Sequence, residues 1–290
     1  MRIGPLIEKS TRPFFSLEFF PPADDAHLPS FYETVESLKA LDPLFASITY
    51  GAGGSRQDRT VTVAAELAGR GLTAMAHLTC VGADPGRIEA FLGQLADAGI
   101  ENVLALRGDA PRDREWDWSA GHFRYASDLV SFIRKVRPSF SLGVAAYPTP
   151  HPESASYADD RAFTARKMLS GADFAVTQLF FDVREYAALV ADLRARGVTA
   201  PVIPGVLPIR SFASFKRVLS LSGASIPAKL WLSLEEADRK GGEAAVREAG
   251  LTFAALQIRQ LLDCGAPGIH LYTLNKADLC LEIAKNVKLS

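Results

Sequence analysis

Runs of apolar, β-branched or aromatic residues recur along the chain at Phe14 to Phe19, Leu44 to Tyr50, Leu72 to Cys80, Asn102 to Leu106, Ser141 to Tyr147, Phe174 to Phe180, Val202 to Leu207 and Gly268 to Tyr272. Each reads as a short buried strand. Between them the apolar positions take helical spacing, as in Ile88, Phe91, Leu92 and Leu95 or Tyr186, Leu189, Val190 and Leu193, with stops at Gly71, Gly99 and Gly197. Eight strands alternate with helices at the roughly 30-residue spacing of a βαβ unit, which favours an α/β fold of the (β/α)8 TIM barrel type. An open doubly wound sheet is the competitor, but it usually carries a Gly-rich phosphate turn after its first strand. Here that strand runs into Phe20, Pro21 and Pro22.

Two stretches break the spacing. After the fourth strand comes a long polar and aromatic loop, Arg112 to Trp118, suited to covering a site. From Ser225 to about Gly250 the pattern inserts extra helix before the last barrel helix. No repeat, low-complexity tract or linker divides the chain, so residues 1–290 are expected to form a single barrel domain.

Composition narrows the function classes. The 290 residues are 48% hydrophobic and 22% charged, which excludes disordered and fibrous classes. Lys plus Arg number 32 and Asp plus Glu 33, so the basic excess of a nucleic-acid binder is missing. Cys80, Cys264 and Cys280 match neither a disulfide framework nor a metal knuckle and are expected to be buried reduced thiols. The N-terminal residues lack the apolar core of a signal peptide and no run is long enough to span a membrane, which gives a cytoplasmic expectation.

Barrel enzymes draw their reactive groups from the C-terminal ends of the strands. Those ends present Glu18, Thr49, His77, Asp109, Tyr147, Gln178, the turn from Pro204 to Pro208, and Tyr272. Glu18 lies among Phe14, Phe15, Phe19 and Phe20, and an apolar setting is expected to raise its pKa and make it a general acid. Asp109 follows Gly108, a residue that permits close approach to a flat ligand, and with no metal spacing around it suggests stabilisation of a cation. His77 reads as a base, a ligand or a hydrogen-bonded core residue. Gly51 to Ser55 resembles a phosphate cradle only loosely, and Phe180 with Phe181 reads as packing. This much describes a barrel enzyme with two rim carboxylates, aromatic walls and no evident metal, and it leaves the substrate open.

The motifs go further. The segments Leu17 to Pro22, Ile48 to Ala52, His77 to Cys80, Ala105 to Asp109, Tyr125 to Leu129, Val144 to Pro148 with His151 to Glu153, Thr177 and Gln178 before Phe180 to Asp182, Ile203 to Pro208, and Tyr272 to Asn275 occur in an order that resembles the methylenetetrahydrofolate reductase family over about residues 14 to 288. The resemblance implies a barrel that binds FAD, takes hydride from NAD(P)H and passes it by a ping-pong route to 5,10-methylenetetrahydrofolate, giving 5-methyltetrahydrofolate for methionine biosynthesis. Longer members carry a regulatory domain after the barrel, and its control is expected to be absent from a chain that stops at the barrel helix.

The same resemblance implies roles for particular residues. Glu18 matches the acid that protonates the folate nitrogen as its five-membered ring opens to an iminium. Asp109 matches the carboxylate that stabilises that cation and tunes the flavin. Thr49, His77, Arg107, Gly108, Asp109, Tyr125, Ala126, Ala145, Tyr147, Asp160 and Lys167 match FAD contacts, with Arg107 and Lys167 supplying charge for a pyrophosphate. Substrate contacts fall on Glu18, Asp109, Gln178, Phe212, Tyr272 and Lys276, with Phe212 offering a stacking face. Many bacterial members have Arg at the place of Lys276, so a planar fork becomes a point charge. A flavin-free relative with direct hydride transfer and a barrel subunit of a larger electron-transfer complex are the alternatives, and a homo-oligomer is compatible with each. Neither nucleic acid nor membrane is expected as a partner.

Overall fold

The computed structural model describes residues 1–50, 57–110, 115–117 and 121–287. The turn from Gly51 to Ser55, and Arg112 to Arg114 with Trp118 of the polar loop, lie outside the described residues. The strands are β1 (Phe14–Phe19), β2 (Phe45–Ile48), β3 (Ala74–Thr79), β4 (Asn102–Leu106), β5 (Ser141–Ala146), β6 (Phe174–Thr177), β7 (Val202–Ile203), β8 (Gly205–Val206) and β9 (Gly268–Tyr272). All pair in parallel in the order β7-β6-β5-β4-β3-β2-β1-β9-β8.

β7 and β8 are one predicted strand cut by Pro204. Proline has no N–H to give to a ladder, so the strand pairs with β6 through its first piece and with β9 through its second. The Pro204 carbonyl still accepts the His270 N–H at 2.9 Å. Nine segments therefore occupy eight barrel positions, and the switch of partner at Pro204 closes the barrel.

The helices are α1 (Ile3–Lys9), α2 (Leu28–Leu38), α3 (Gln57–Gly69), α4 (Pro85–Asp97), α5 (Ala126–Val136), α6 (Tyr157–Leu169), α7 (Val183–Ala195), α8 (Phe212–Ser222), α9 (Ala228–Asp263) and α10 (Ala277–Asn286). Successive strand residues point to opposite faces. On β1, Phe15, Leu17 and Phe19 join the core beneath the surrounding helices, whereas Phe14 joins an inner cluster with Phe45, Met75, Leu104, Phe174 and Ile203. α1, which the apolar pattern did not reveal, adds Ile3 and Ile7 to that inner cluster. Its Ile3 N–H donates to Asn102 Oδ1 at 2.9 Å and its Gly4 N–H to Ser141 Oγ at 2.8 Å, which seats the helix at the N-terminal ends of β4 and β5.

The predicted insertion forms the first part of α9, which bends at Gly242. Leu230, Leu234 and Val246 of α9 pack with Phe212 and Phe215 of α8 against Phe181 and Leu207 in a third apolar cluster. Phe180 faces the main core instead, stacked on Tyr186 at 6.0 Å. Cys80 and Cys280 are free and buried, whereas Cys264 at the end of α9 is free but exposed, against the expectation of three buried thiols. Among the described residues no helix is long and apolar enough to cross a membrane.

Phe174 is fully buried in the barrel interior, its ring 5.8 Å from that of Phe45. Phe174→Ala is expected to cost about 3–5 kcal/mol through lost transfer energy and an unfilled cavity. A shift of the urea midpoint at unchanged m-value measures it. A cost under about 1 kcal/mol would mean that the interior collapses around the gap.

Candidate active site

Period-two alternation sets Ser16 and Glu18 of β1 on the inward face, and the register pairs Ser16 with His270 and Glu18 with Tyr272 of β9. His77 enters from β3. Together they make a polar layer above the apolar inner cluster. Glu18 Oε2 lies 3.5 Å from His77 Nε2 and 3.5 Å from His270 Nε2, while His270 Nδ1 shares a hydrogen bond of 2.8 Å with Ser16 Oγ.

This geometry corrects the expectation of a raised Glu18 pKa. Burial is the largest single influence and does raise it, but the hydrogen bond from His270 and the attraction of His77 and His270 together hold the carboxyl below its ordinary value. The aromatic neighbours in sequence do not surround the carboxyl. Phe15 and Phe19 fall in the outer core on the opposite face of the strand. Burial pushes the His77 imidazole down to about 4, the foremost cause, with Glu18 opposing, so His77 is neutral at neutral pH.

Above this layer opens a cleft of about 1450 Å³ at the C-terminal ends of the strands, with Glu18, Thr49, His77, Asp109, Tyr147, Gln178 and Tyr272 all in its wall. The Tyr272 hydroxyl donates to the Thr177 carbonyl at 2.6 Å. A Cβ at Gly205 would stand 2.5 Å from that carbonyl and 2.6 Å from the Tyr272 ring, so only glycine lets Tyr272 cross the barrel there. Burial, reinforced by the Asp109 charge, pushes the Tyr147 phenol up to about 12. Asp109 itself is exposed to the cleft.

One flank carries cations. Lys167 Nζ donates to the Ala145 carbonyl at 2.6 Å, and burial brings its pKa down to about 8. Arg107 Nη1 pairs with Glu153 Oε2 at 2.7 Å. Asp160 Oδ1 accepts the His151 N–H and the Ser154 hydroxyl, while its Oδ2 is buried with no hydrogen-bond partner among the described residues. Tyr125, stacked on Phe163 at 5.6 Å, and Ala126 complete this side. Gly108 lines the cleft too, and the backbone requires glycine there: φ is +83°, and a Cβ would meet Val81 Cγ1 at 2.7 Å. A cleft with aromatic walls, half-buried cations and an unpaired carboxylate oxygen fits a flat heterocycle bearing phosphates and hydroxyls.

Two predicted contacts stand elsewhere. Phe212 is buried under the insertion, its ring 4.9 Å from Trp231 and 4.6 Å from Lys216 Nζ, and is not in the cleft wall. Lys276 is exposed at the start of α10, also outside that wall. The sequence reading missed Ser16 and His270. A signal existed, because each lies two residues before a rim residue on the same inward face. Among the described residues no group of three or more His, Cys, Asp or Glu is placed to hold a metal.

The family model described as methylenetetrahydrofolate reductase matches residues 2–288. Similar curated proteins include the probable methylenetetrahydrofolate reductase (NADH) of Oryza sativa subsp. japonica, 36% identical over 96% of this chain and 48% of its own length. The probable methylenetetrahydrofolate reductase (NADPH) of Caenorhabditis elegans is 37% identical over 99% of this chain and 44% of its own length. The 5,10-methylenetetrahydrofolate reductase of Escherichia coli (strain K12) is 34% identical over 92% of this chain and 88% of its own. The chain thus spans about half the length of the plant and nematode relatives. Among solved structures, an uncharacterized protein from Clostridium thermocellum that binds two copies of 5-methyl-5,6,7,8-tetrahydrofolic acid aligns with a TM-score of 0.71 over 98% of this chain and 97% of that one. At 15% identity this likeness bears on the fold alone.

Proposed function

The chain belongs to the methylenetetrahydrofolate reductase family, and from that premise we propose that it reduces 5,10-methylenetetrahydrofolate to 5-methyltetrahydrofolate with NAD(P)H, its barrel serving as the whole catalytic unit and holding FAD in the cleft. When bound, FAD supplies a carrier that accepts a hydride from one substrate and returns it to the other. The observation that carries this reading is a carboxyl group anchored by two imidazoles at the floor of a cation-flanked, aromatic-walled cleft.

The chain's own residues divide the work. Arg107 and Lys167 supply positive charge to the pyrophosphate, and Asp160 Oδ2 accepts a hydroxyl. Thr49, His77, Gly108, Tyr125, Ala126, Ala145 and Tyr147 shape the wall against the flat ring. Gln178 and Tyr272 orient the pterin. Glu18 delivers the proton to the folate nitrogen as the ring opens. In the open cleft its imidazole partners favour the carboxylate, and a pterin seated over it removes the remaining water and raises its proton affinity. Asp109 opposes the positive charge of the resulting iminium and tunes the flavin. Phe212 and Lys276 do not line the cleft and are given no part in this contact set.

One cleft serves both substrates in turn. Initial velocities at varied NAD(P)H and several fixed folate concentrations are expected to give parallel lines, the mark of a ping-pong route. Intersecting lines, which require a ternary complex, would overturn the shared cleft.

A further inference from the structure

Both imidazoles that reach Glu18 converge on the same oxygen. His77 Nε2 and His270 Nε2 each stand 3.5 Å from Oε2, ion-pair distances at the limit of hydrogen-bond reach, and neither nitrogen makes a well-formed hydrogen bond among the described residues. The His270 ring is immobilised in turn: Ser16 holds Nδ1, Phe45 stacks on it at 5.9 Å and Tyr272 meets it edge-on at 5.5 Å. Ser16 and His270 are 0% and 1% exposed, below the cleft and out of its wall, so they touch no ligand held there.

We propose that Ser16 and His270, with His77 opposite, form a positioning scaffold that fastens Oε2 of Glu18 and turns Oε1 to the cleft as the working oxygen. The role rests on the reading of Glu18 as proton donor, and it assigns Ser16 and His270 a part that neither the family match nor the relatives' names give them. With the Ser16 hydroxyl donating to Nδ1, His270 carries its proton on Nε2 and donates to the carboxylate. That bond favours the ionised form of Glu18. Its removal leaves a buried carboxylate short of a donor, so the pKa must rise.

The titratable groups facing Glu18 are His77 from β3, and His270 and Tyr272 from β9, with Tyr147 and Asp109 next beyond Tyr272. Tyr272 and Tyr147 are pushed up by burial and stay neutral. His77 is neutral above about 4. The hydrogen bond from His270 is the foremost of the influences that lower Glu18, so His270 is the partner whose loss moves the titration most.

The test follows the Glu18 side-chain carboxyl by 13C NMR in purified protein labelled at glutamate, its resonance identified by its absence in Glu18→Gln. In His270→Phe, which keeps the ring stack on Phe45, the midpoint is expected to rise by about one pH unit or more. Ser16→Ala is expected to move it in the same direction by less, and Ser16→Thr, which keeps a hydroxyl, to return it towards the native value. The alkaline limb of the folate-dependent reoxidation rate should rise in step with the midpoint. An unmoved or lowered midpoint in folded His270→Phe overturns the scaffold. If that variant does not fold, Ser16→Ala decides by the same sign. The NMR arm needs no folate, so a native protein that turns over folate with an unmoved midpoint refutes the scaffold alone, and a moved midpoint in a protein inert to folate refutes the function alone.

Discussion

Glu18→Gln is expected to slow the reoxidation of reduced flavin by methylenetetrahydrofolate by about 10² to 10⁴-fold, the usual cost of losing a general acid. Gln keeps the shape and loses the proton, and its amide still meets His77 and His270. Flavin reduction by the nicotinamide requires no proton from this residue, so that half-reaction should stay within about tenfold of native. The split follows from geometry. Glu18 is 7% exposed at the cleft floor, held from below by its imidazoles, and does not shape the cationic flank. Stopped-flow absorbance of each half-reaction checks it. Equal slowing of both would mean that Glu18 holds the site together, and slowing of neither would give the proton to another group.

The second large effect concerns the cationic flank. Arg107→Ala with Lys167→Ala is expected to yield folded protein that has lost most of its flavin, because two charge-assisted contacts to a pyrophosphate are worth about 3 kcal/mol or more, at least about a hundredfold in affinity. The free protein supports a cost paid in binding more than in folding. Burial lowers the Lys167 pKa to about 8, so its charge is strained there until an anion arrives, and Arg107 has Glu153 at 2.7 Å as its partner in the meantime. Flavin content after desalting, with the thermal midpoint as a control for folding, measures the loss. Full occupancy in the double variant would remove both residues from the assignment.

The barrel was legible because its strands are buried on both faces and leave continuous apolar runs. What the runs hid was pairing. The stretch from Val202 to Leu207 reads as one strand, yet Pro204 divides it between two partners, a consequence of the missing N–H that depends on where the neighbours stand. α1 escaped notice because seven residues show too little periodicity, and its role depends on Asn102 and Ser141 in strands far along the chain. At the site, the strand-end rule found Glu18, Thr49, His77, Asp109, Tyr147, Gln178 and Tyr272, all in one cleft wall. It erred on the protonation of Glu18 by treating sequence neighbours as spatial ones, although residues next to each other on a strand face opposite sides. His270 belongs to the layer below the strand ends and so lay outside the rule. Phe212 was placed by resemblance alone, and its packing on Trp231 depends on an insertion whose fold no local pattern specifies.

The central claim, a single cleft that passes hydride from a nicotinamide to methylenetetrahydrofolate through FAD, is tested most directly by an anaerobic titration of the purified native chain in two steps. NADH or NADPH should first bleach a yellow protein in proportion to its flavin, and methylenetetrahydrofolate added after removal of the nucleotide should restore the colour with one equivalent of 5-methyltetrahydrofolate formed per flavin. A colourless protein, or a bleached one whose colour does not return with the folate, would contradict it.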